Sequence, residues 1–347
     1  MEIFEGGLFA DASSGSAMAS VGIIANPAAG KDIRRLVAFG SATDNHEKVS
    51  VVSRILLGLD AMGVERVWLM PDTFPIGLRA YEALKARLKL QVLILDMPME
   101  GTAEDSELAA SLMAKAGASC IITLGGDGTN RAVAKGCGKV PLVPISTGTN
   151  NVFPRFIEGT TAGLAAGVAA TNGTRIGDFA VPTPRLLVRR AGEVVDLALI
   201  DVVVTDDLFP GTKAVWEVSH IKEIFSSRGR PSSVGLSSIV GCFRPLNPEQ
   251  GEGLHLLVGG KDHKVLAPIA PGLIESVPIR RARPLRIGEP VKVSHYPCTL
   301  ALDGEREIFA NRGQDFTVEL SPDGPLVLDH ERILEYAAQK GLFQVKG

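Results

Sequence analysis

From Ser20 to Ser146 the chain repeats one pattern: a short β-rich run closed by a glycine, proline or polar turn, then a longer stretch with apolar residues at helical spacing. "VGIIAN", "QVLILDMP", "ASCIITLGGDG" and "VPLVPIS" are runs of the first kind; "KVSVVSRILLGLDAMG" and "AEDSELAASLMAKAG" are stretches of the second. A strand that must be followed by a helix before the next strand can pair only in parallel. The expected fold class is therefore α/β, a Rossmann-like parallel sheet with helices on both faces, whose ligand site lies beyond the carboxyl ends of the strands. Asn26, Asp96, Gly125 and Ser146 follow four of those strands.

After Gly173 the rhythm changes to strand-like pieces broken by proline and glycine, among them "PRLLVRR", "EVVDLALIDVVVTDD", "GLHLLVGG" and "DFTVELSP". This predicts a second, β-rich and mostly antiparallel domain. The expected organisation is an extension at 1–19, a Rossmann-like nucleotide-binding domain at 20–155, a β-rich acceptor domain at 156–325, and a C-terminal helix at 326–347 that could return to the first domain.

Bulk properties exclude several functions. A net charge of -3 gives no global field to attract nucleic acid or an anionic membrane, so a phosphate site must be local. The acidic start lacks the basic opening of a secretory signal, and no segment approaches about 18 uninterrupted apolar residues. Cys120, Cys137, Cys242 and Cys298 form neither a Cys-x-x-Cys pair nor a cysteine-histidine cluster, and are read as reduced thiols of a cytoplasmic protein. None of the six histidines stands at metal-ligand spacing or beside a nucleophile, which leaves general-base work to a carboxylate.

The carboxylate best placed is Asp127 in "TLGGDGTN". Glycines there permit close approach by a ligand, and the helix that follows offers unpaired amides to phosphate oxygens. Asp127 would then bind magnesium or accept a hydroxyl proton; the competing reading is a helix cap at an ordinary strand-to-helix turn. Three other turns share that sheet edge. "NPAAGKD" places Asn26, Pro27 and Gly30 in a turn with Lys31 available to phosphate, yet lacks the glycines of the P-loop and the dinucleotide fingerprint. "STGTNN" supplies hydroxyls and amides from Thr147, Gly148, Thr149, Asn150 and Asn151, or is plain turn chemistry. Thr102 in "MEGTAEDSELAA" suits a phosphate ligand and a capping hydroxyl equally. Late in the chain "LALDGEREI" carries Asp303 and Glu305 around Gly304, either a hairpin turn or a carboxylate facing the cleft.

Together "NPAAGKD", "TLGGDGTN" and "STGTNN" resemble the superfamily that joins NAD kinases with diacylglycerol and sphingosine kinases. Within it, "GIIANPAAGKDIRRLVA", "ATDNHEKV" and "GTNNVFP" are similar to the acetoin catabolism protein X family, described as ATP-NAD kinase-like. The resemblance implies a nucleotide and an acceptor meeting between two domains, with ATP and Mg²⁺ bound and NAD a candidate substrate. It implies that Asp127 assists the acceptor hydroxyl and its metal, that Gly125, Gly126, Gly128, Thr129 and Asn130 line phosphates, that the 147–151 turn contacts nucleotide, and that Glu305 matches the late acidic motif of the lipid kinases. Relatives of this kind assemble as homo-oligomers. Ile200 stands where NAD kinases carry an asparagine, and Asn150-Asn151 where lipid kinases carry Asn-Asp. The acceptor is thus open between NAD, a lipid and a small polyol, with a non-catalytic nucleotide-binding regulator as the reading from another class.

Overall fold

A computed structural model describes residues 18–29, 39–41, 43–171, 176–208 and 217–344, with only the backbone at 306 and 307. Gly30, Lys31 and nearly all of the 1–19 extension lie outside the described residues.

Five strands, β1 (Ser20–Ala25), β2 (Arg66–Leu69), β3 (Gln91–Ile94), β4 (Cys120–Gly125) and β5 (Leu142–Ser146), pair in parallel in the order β3-β2-β1-β4-β5. Side chains alternate between two apolar layers, as strand geometry requires. Ile23 and Ile122 join α1 (Asn45–Ala61) and α2 (Ile76–Leu84) on one face; Ile24 and Ile121 join α3 (Ala103–Lys115) and α4 (Asp127–Gly136) on the other. Burial on both faces explains why these strands read as continuous apolar runs. The helix α5 (Gly159–Thr171) packs on α1 with mutual close approach: a Cβ on Gly58 would stand 2.7 Å from the Thr160 carbonyl oxygen, and one on Gly163 would lie 3.1 Å from the Cα of Gly58. Residues 159–171, grouped with the second unit on the sequence, therefore pack with the first, because the small residues of "GTTAGLAAGVAAT" suit a helix-helix contact.

A short strand β6 (Ala180–Pro182) leads into the second unit. There β7 (Arg185–Arg190), β8 (Glu193–Ala198), β9 (Asp201–Thr205), β10 (Ile221–Ser226), β11 (Glu252–Val258), β12 (Lys264–Ala270), β13 (Leu273–Arg286), β14 (Val291–Lys292), β15 (Cys298–Leu302), β16 (Glu305–Ala310) and β17 (Phe316–Ser321) build two sheets. A seven-stranded antiparallel sheet, β12-β13-β11-β10-β9-β15-β16, shares a core with the four-stranded β14-β17-β7-β8, and its other face is covered by α6 (Ser237–Phe243). The chain then returns: β18 (Leu326–Leu328) pairs with β5 in parallel and with β6 antiparallel, and α7 (His330–Gln339) buries Ile333 and Ala337 in the core of the first unit. The four cysteines are free thiols, and among the described residues no helix is long and apolar enough to cross a membrane.

Inside the second unit, buried Glu223 accepts hydrogen bonds from His255 Nε2 (2.9 Å), the Ser294 amide (2.7 Å) and hydroxyl (2.8 Å), and the His295 amide (3.0 Å). Arg283 Nε donates to His255 Nδ1 (2.8 Å), so the imidazole is neutral with its proton on Nε2. Burial opposes the Glu223 charge, but these donors outweigh it and lower its pKa from 4.5; burial lowers that of His255 from 6.5. Both depressed values mean that the unfolded chain binds more protons. The stability contributed by His255 is complete above 6.5, that of Glu223 above 4.5, and each is lost as pH falls. The melting temperature should accordingly drop between about pH 7 and pH 5, and less steeply for His255→Gln. Equal slopes for wild type and variant in differential scanning fluorimetry would refute this.

Candidate active site

The strand order reverses direction next to β1: the chain moves outward through β2 and β3, then restarts at β4 on the other side. Loops leaving β1 and β4 therefore diverge, and a crevice opens at their carboxyl ends. Asn26 spans it, donating from Nδ2 to Thr129 Oγ1 at 2.9 Å while its Oδ1 accepts the Ala28 amide at 2.8 Å. Lys48, fully buried on α1, donates Nζ to the carbonyls of Asn26 and Ala29, both at 2.9 Å, and to Asn45 Oδ1 at 3.1 Å. A lysine in "NHEKVS" looks like a solvated helix charge, and only the tertiary structure reveals it as the pin under the first turn.

The second turn is built from glycines packed closely against neighbouring side chains. A Cβ on Gly125 would stand 2.6 Å from that of Thr129, and one on Gly126 would meet Asn151 Oδ1 at 2.9 Å. Gly126 caps α4 without a side-chain bond, so the first amides of the helix have no partner within it. Asp127 opens α4; its Oδ1 accepts the amides of Val152 (3.0 Å) and Phe153 (2.8 Å), and its Oδ2 that of Val152 (3.1 Å). These bonds aim the carboxylate and tie the β4 turn to the β5 turn. Asn130 is fully buried and its side chain is engaged inside the loop, accepting from Thr123 Oγ1 (2.7 Å) and donating to the Gly126 carbonyl (2.9 Å).

The turn after β5 is braced in the same way. Asn151 Nδ2 donates to Ser146 Oγ at 2.8 Å, which itself donates to the Gly148 carbonyl at 2.8 Å. Thr149 exchanges bonds with Ser41, its amide donating to the carbonyl (3.2 Å) and its Oγ1 accepting the Ser41 amide (3.2 Å). It also donates to Asn150 Oδ1 at 3.2 Å. Thr147 is buried, and among the described residues its Oγ1 has no hydrogen-bond partner. Pro27 lies in the first turn beside Asn26. Thr102, by contrast, is exposed before α3 and makes no capping bond; it follows β3, at the sheet edge, with β2 between it and the crevice.

From the second unit, the Asp-Gly-Glu turn comes down onto α4. Glu305 Oε1 lies 3.1 Å from where a Cβ on Gly128 would stand, so the late acidic motif and the glycine turn share one wall. Asp303, at φ 52°, is buried and accepts the amides of Leu199 (3.1 Å) and Ile200 (2.8 Å) with Oδ1. Burial pushes its pKa up, against the opposing pull of Arg131 and those amides. Arg131 on α4 reaches Asp303 at 4.0 Å and Asp196 at 3.3 Å, and Lys135 reaches Asp196 at 2.7 Å. The helix that carries Asp127 is thus clamped to the second unit by ion pairs. Asp303 supports the turn, while Arg131 and Lys135 gave no signal in the sequence beyond helical spacing. Among the described residues no three His, Cys, Asp or Glu side chains converge as a metal cage.

Residues 21–171 match the family model of the ATP-NAD kinase N-terminal domain, and residues 184–323 that of the acetoin catabolism protein X C-terminal domain. Acetoin catabolism protein X of Cupriavidus necator is 36% identical over 336 residues, 93% of this chain and 94% of that protein. Among solved structures, a putative diacylglycerol kinase from Bacillus anthracis str. Sterne aligns at 14% identity and TM-score 0.45 over 90% of this chain and 98% of its own. Another, described in the same words, aligns at 13% identity and TM-score 0.43 over 92% and 100%.

Proposed function

The chain belongs to the acetoin catabolism protein X family, and from that premise we propose that it is a magnesium-dependent phosphotransferase of acetoin catabolism, moving a phosphoryl group from ATP to an acceptor hydroxyl, with NAD the favoured acceptor. The observation that carries the reading is the meeting of Glu305 with Gly128, which puts a carboxylate of each unit beside the first turn of α4.

Those residues fit the groups the family model implies. Mg²⁺ keeps most of its water and needs only one or two carboxylates beside substrate phosphates, so Asp127, with Glu305 near, is a sufficient donor set without a cage. Bound there, it supplies positive charge against the phosphoryl oxygens. Gly125 and Gly126, bare of side chains, let ATP phosphates approach the first amides of α4. Asn26 and the 147–151 turn hold the walls of the crevice in place. Asp127, its carboxylate aimed by two amides, orients the acceptor hydroxyl and takes its proton as the oxygen attacks phosphorus and ADP leaves.

A second reading, a nucleotide-binding regulator without efficient transfer, is favoured by Ile200. This residue is buried in an apolar cluster with Phe153, Leu187, Leu197 and Leu199 and offers no amide to an acceptor. Purified protein with Mg²⁺, ATP and NAD, analysed by mass spectrometry, separates the two. NADP is the expected product; binding of ATP or NAD without product would transfer the protein to the regulator class, and binding of neither would end both readings.

A further inference from the structure

Arg228, just past the end of β10, is a half-buried guanidinium in an unusual state. Its Cζ lies over the Phe153 ring, 5.1 Å from the centroid, and Phe153 is one of the two residues whose amides hold Asp127. Among the described residues Nη2 reaches the Pro184 carbonyl at 3.2 Å, the buried Nε has no hydrogen-bond partner, and no ion pair to a carboxylate forms. The terminal nitrogens of this half-buried guanidinium keep donors beyond the one bond to Pro184, and a charge-assisted hydrogen bond from them to an anion is stronger than a neutral one.

The backbone that carries it is fixed. Ser226 Oγ donates to the Arg228 carbonyl at 2.6 Å, and Leu246 donates its amide to the Gly229 carbonyl at 2.8 Å. A Cβ on Gly229 would stand 2.8 Å from the Gly241 nitrogen, and one on Gly241 would stand 2.6 Å from the Arg230 nitrogen, so two backbones touch there. The guanidinium is therefore held ready, with little ordering left to do on binding. Its electrostatic surroundings are mixed. Burial lowers its pKa to about 10; Asp303 and Asp127 pull that value up, while Arg230 and Arg155 push it down. Both of those arginines are exposed, one on the β5 side of the crevice and one on the β10 side.

We propose that Arg228 forms an oxyanion site for a phosphate group of the acceptor, next to Asp127, with the exposed Arg155 and Arg230 adding positive charge around it. The planar fork of a guanidinium matches a phosphate, and contact with the Phe153 ring and the bond to the Pro184 carbonyl hold it in place. A phosphorylated small molecule or a dinucleotide fits this chemistry; a neutral lipid or polyol leaves the guanidinium unsatisfied. The inference uses the phosphotransferase reading only in calling the bound molecule the acceptor.

The test titrates inorganic pyrophosphate, without metal or nucleotide, into the full chain by calorimetry. Arg228→Gln should weaken binding about 10-fold or more, as expected for a charge-assisted hydrogen bond. Arg228→Lys should recover part of the loss, since it keeps the charge without the fork. Arg155→Gln and Arg230→Gln alter exposed side chains that the fold does not need, and each should weaken binding several-fold and flatten its salt dependence. Wild-type protein that does not bind pyrophosphate, or affinities unchanged in the Arg155 and Arg230 variants, would overturn the site. MgATP titrated separately reports on the donor site: its failure to bind would count against the phosphotransferase and leave the pyrophosphate result standing.

Discussion

Asp127→Asn should lower turnover by about 100-fold or more, measured on the product that mass spectrometry identifies. The substitution keeps the size of the side chain and one oxygen able to accept the amide of Phe153, so the turn between β4 and β5 stays closed. What it removes is charge. An amide cannot take the hydroxyl proton, a contribution of about 10²- to 10⁴-fold in general-base catalysis, and it is a poorer ligand for Mg²⁺. The loss should fall on kcat more than on KM, because the proton moves only on the way to the transition state. A placement of Nδ2 against the Val152 amide would set donor against donor, a local cost that the melting temperature reports separately. A variant that turns over within a few-fold of wild type would show Asp127 to be a cap and no more.

The largest effect on stability should come from Gly163→Leu. Where α5 crosses α1, a Cβ on Gly163 runs into the Ile55 carbonyl oxygen and comes within 3.1 Å of the Gly58 Cα. Both are backbone atoms, which cannot rotate away as a side chain can. Two effects compete at this helical glycine. Replacing it by alanine gains about 0.5–1 kcal/mol of helix propensity. Forcing apart two helices whose joint face is the core of the first unit costs about 3 kcal/mol or more for a leucine. The clash wins, and equilibrium denaturation should show Gly163→Leu destabilised by about that amount or not folded at all. Gly177→Ala, where no atom lies within 4 Å of the new Cβ, is the control and should be neutral. A stable Gly163→Leu would mean that the helices do not touch there.

The parallel sheet was legible because its central strands are buried on both faces and are apolar throughout, and because each strand ends in a glycine, proline or polar turn. "CIITLGGDG" carries both signals in nine residues. Three of the turns singled out on sequence, at Asn26, Gly125–Gly126 and Ser146–Asn151, stand together in the structure, joined by side-chain bonds. Thr102 was grouped with them by position after a strand, but strand order, which no local pattern encodes, puts it at the far edge. Asn130 looked like a phosphate contact and is engaged in closing its own loop. Lys48, Arg131 and Arg228 were not legible at all. A cation in a helix or after a strand has the same sequence signature whether it faces water or is the one group under a turn, and only long-range packing decides which. Asp303 and Glu305 were visible as a turn; that the turn reaches the start of α4 depends on how the second unit docks.

The strand β18 has a consequence for the making of the protein. It fills the gap between β5 and β6, so the first sheet recruits a strand from residues 326–328 after the whole antiparallel unit has been made. A ribosome delivering this chain from its N-terminus releases β1 to β5 early, with the outer edge of β5 unpaired and with the side of the sheet that Ile333 and Ala337 will cover still open. The nascent first half is in the meantime a sticky half-sheet, dependent on a late piece of chain to seal it. Ending translation a few dozen residues early would leave both motifs of the crevice in the polypeptide and deny them a finished sheet to stand on.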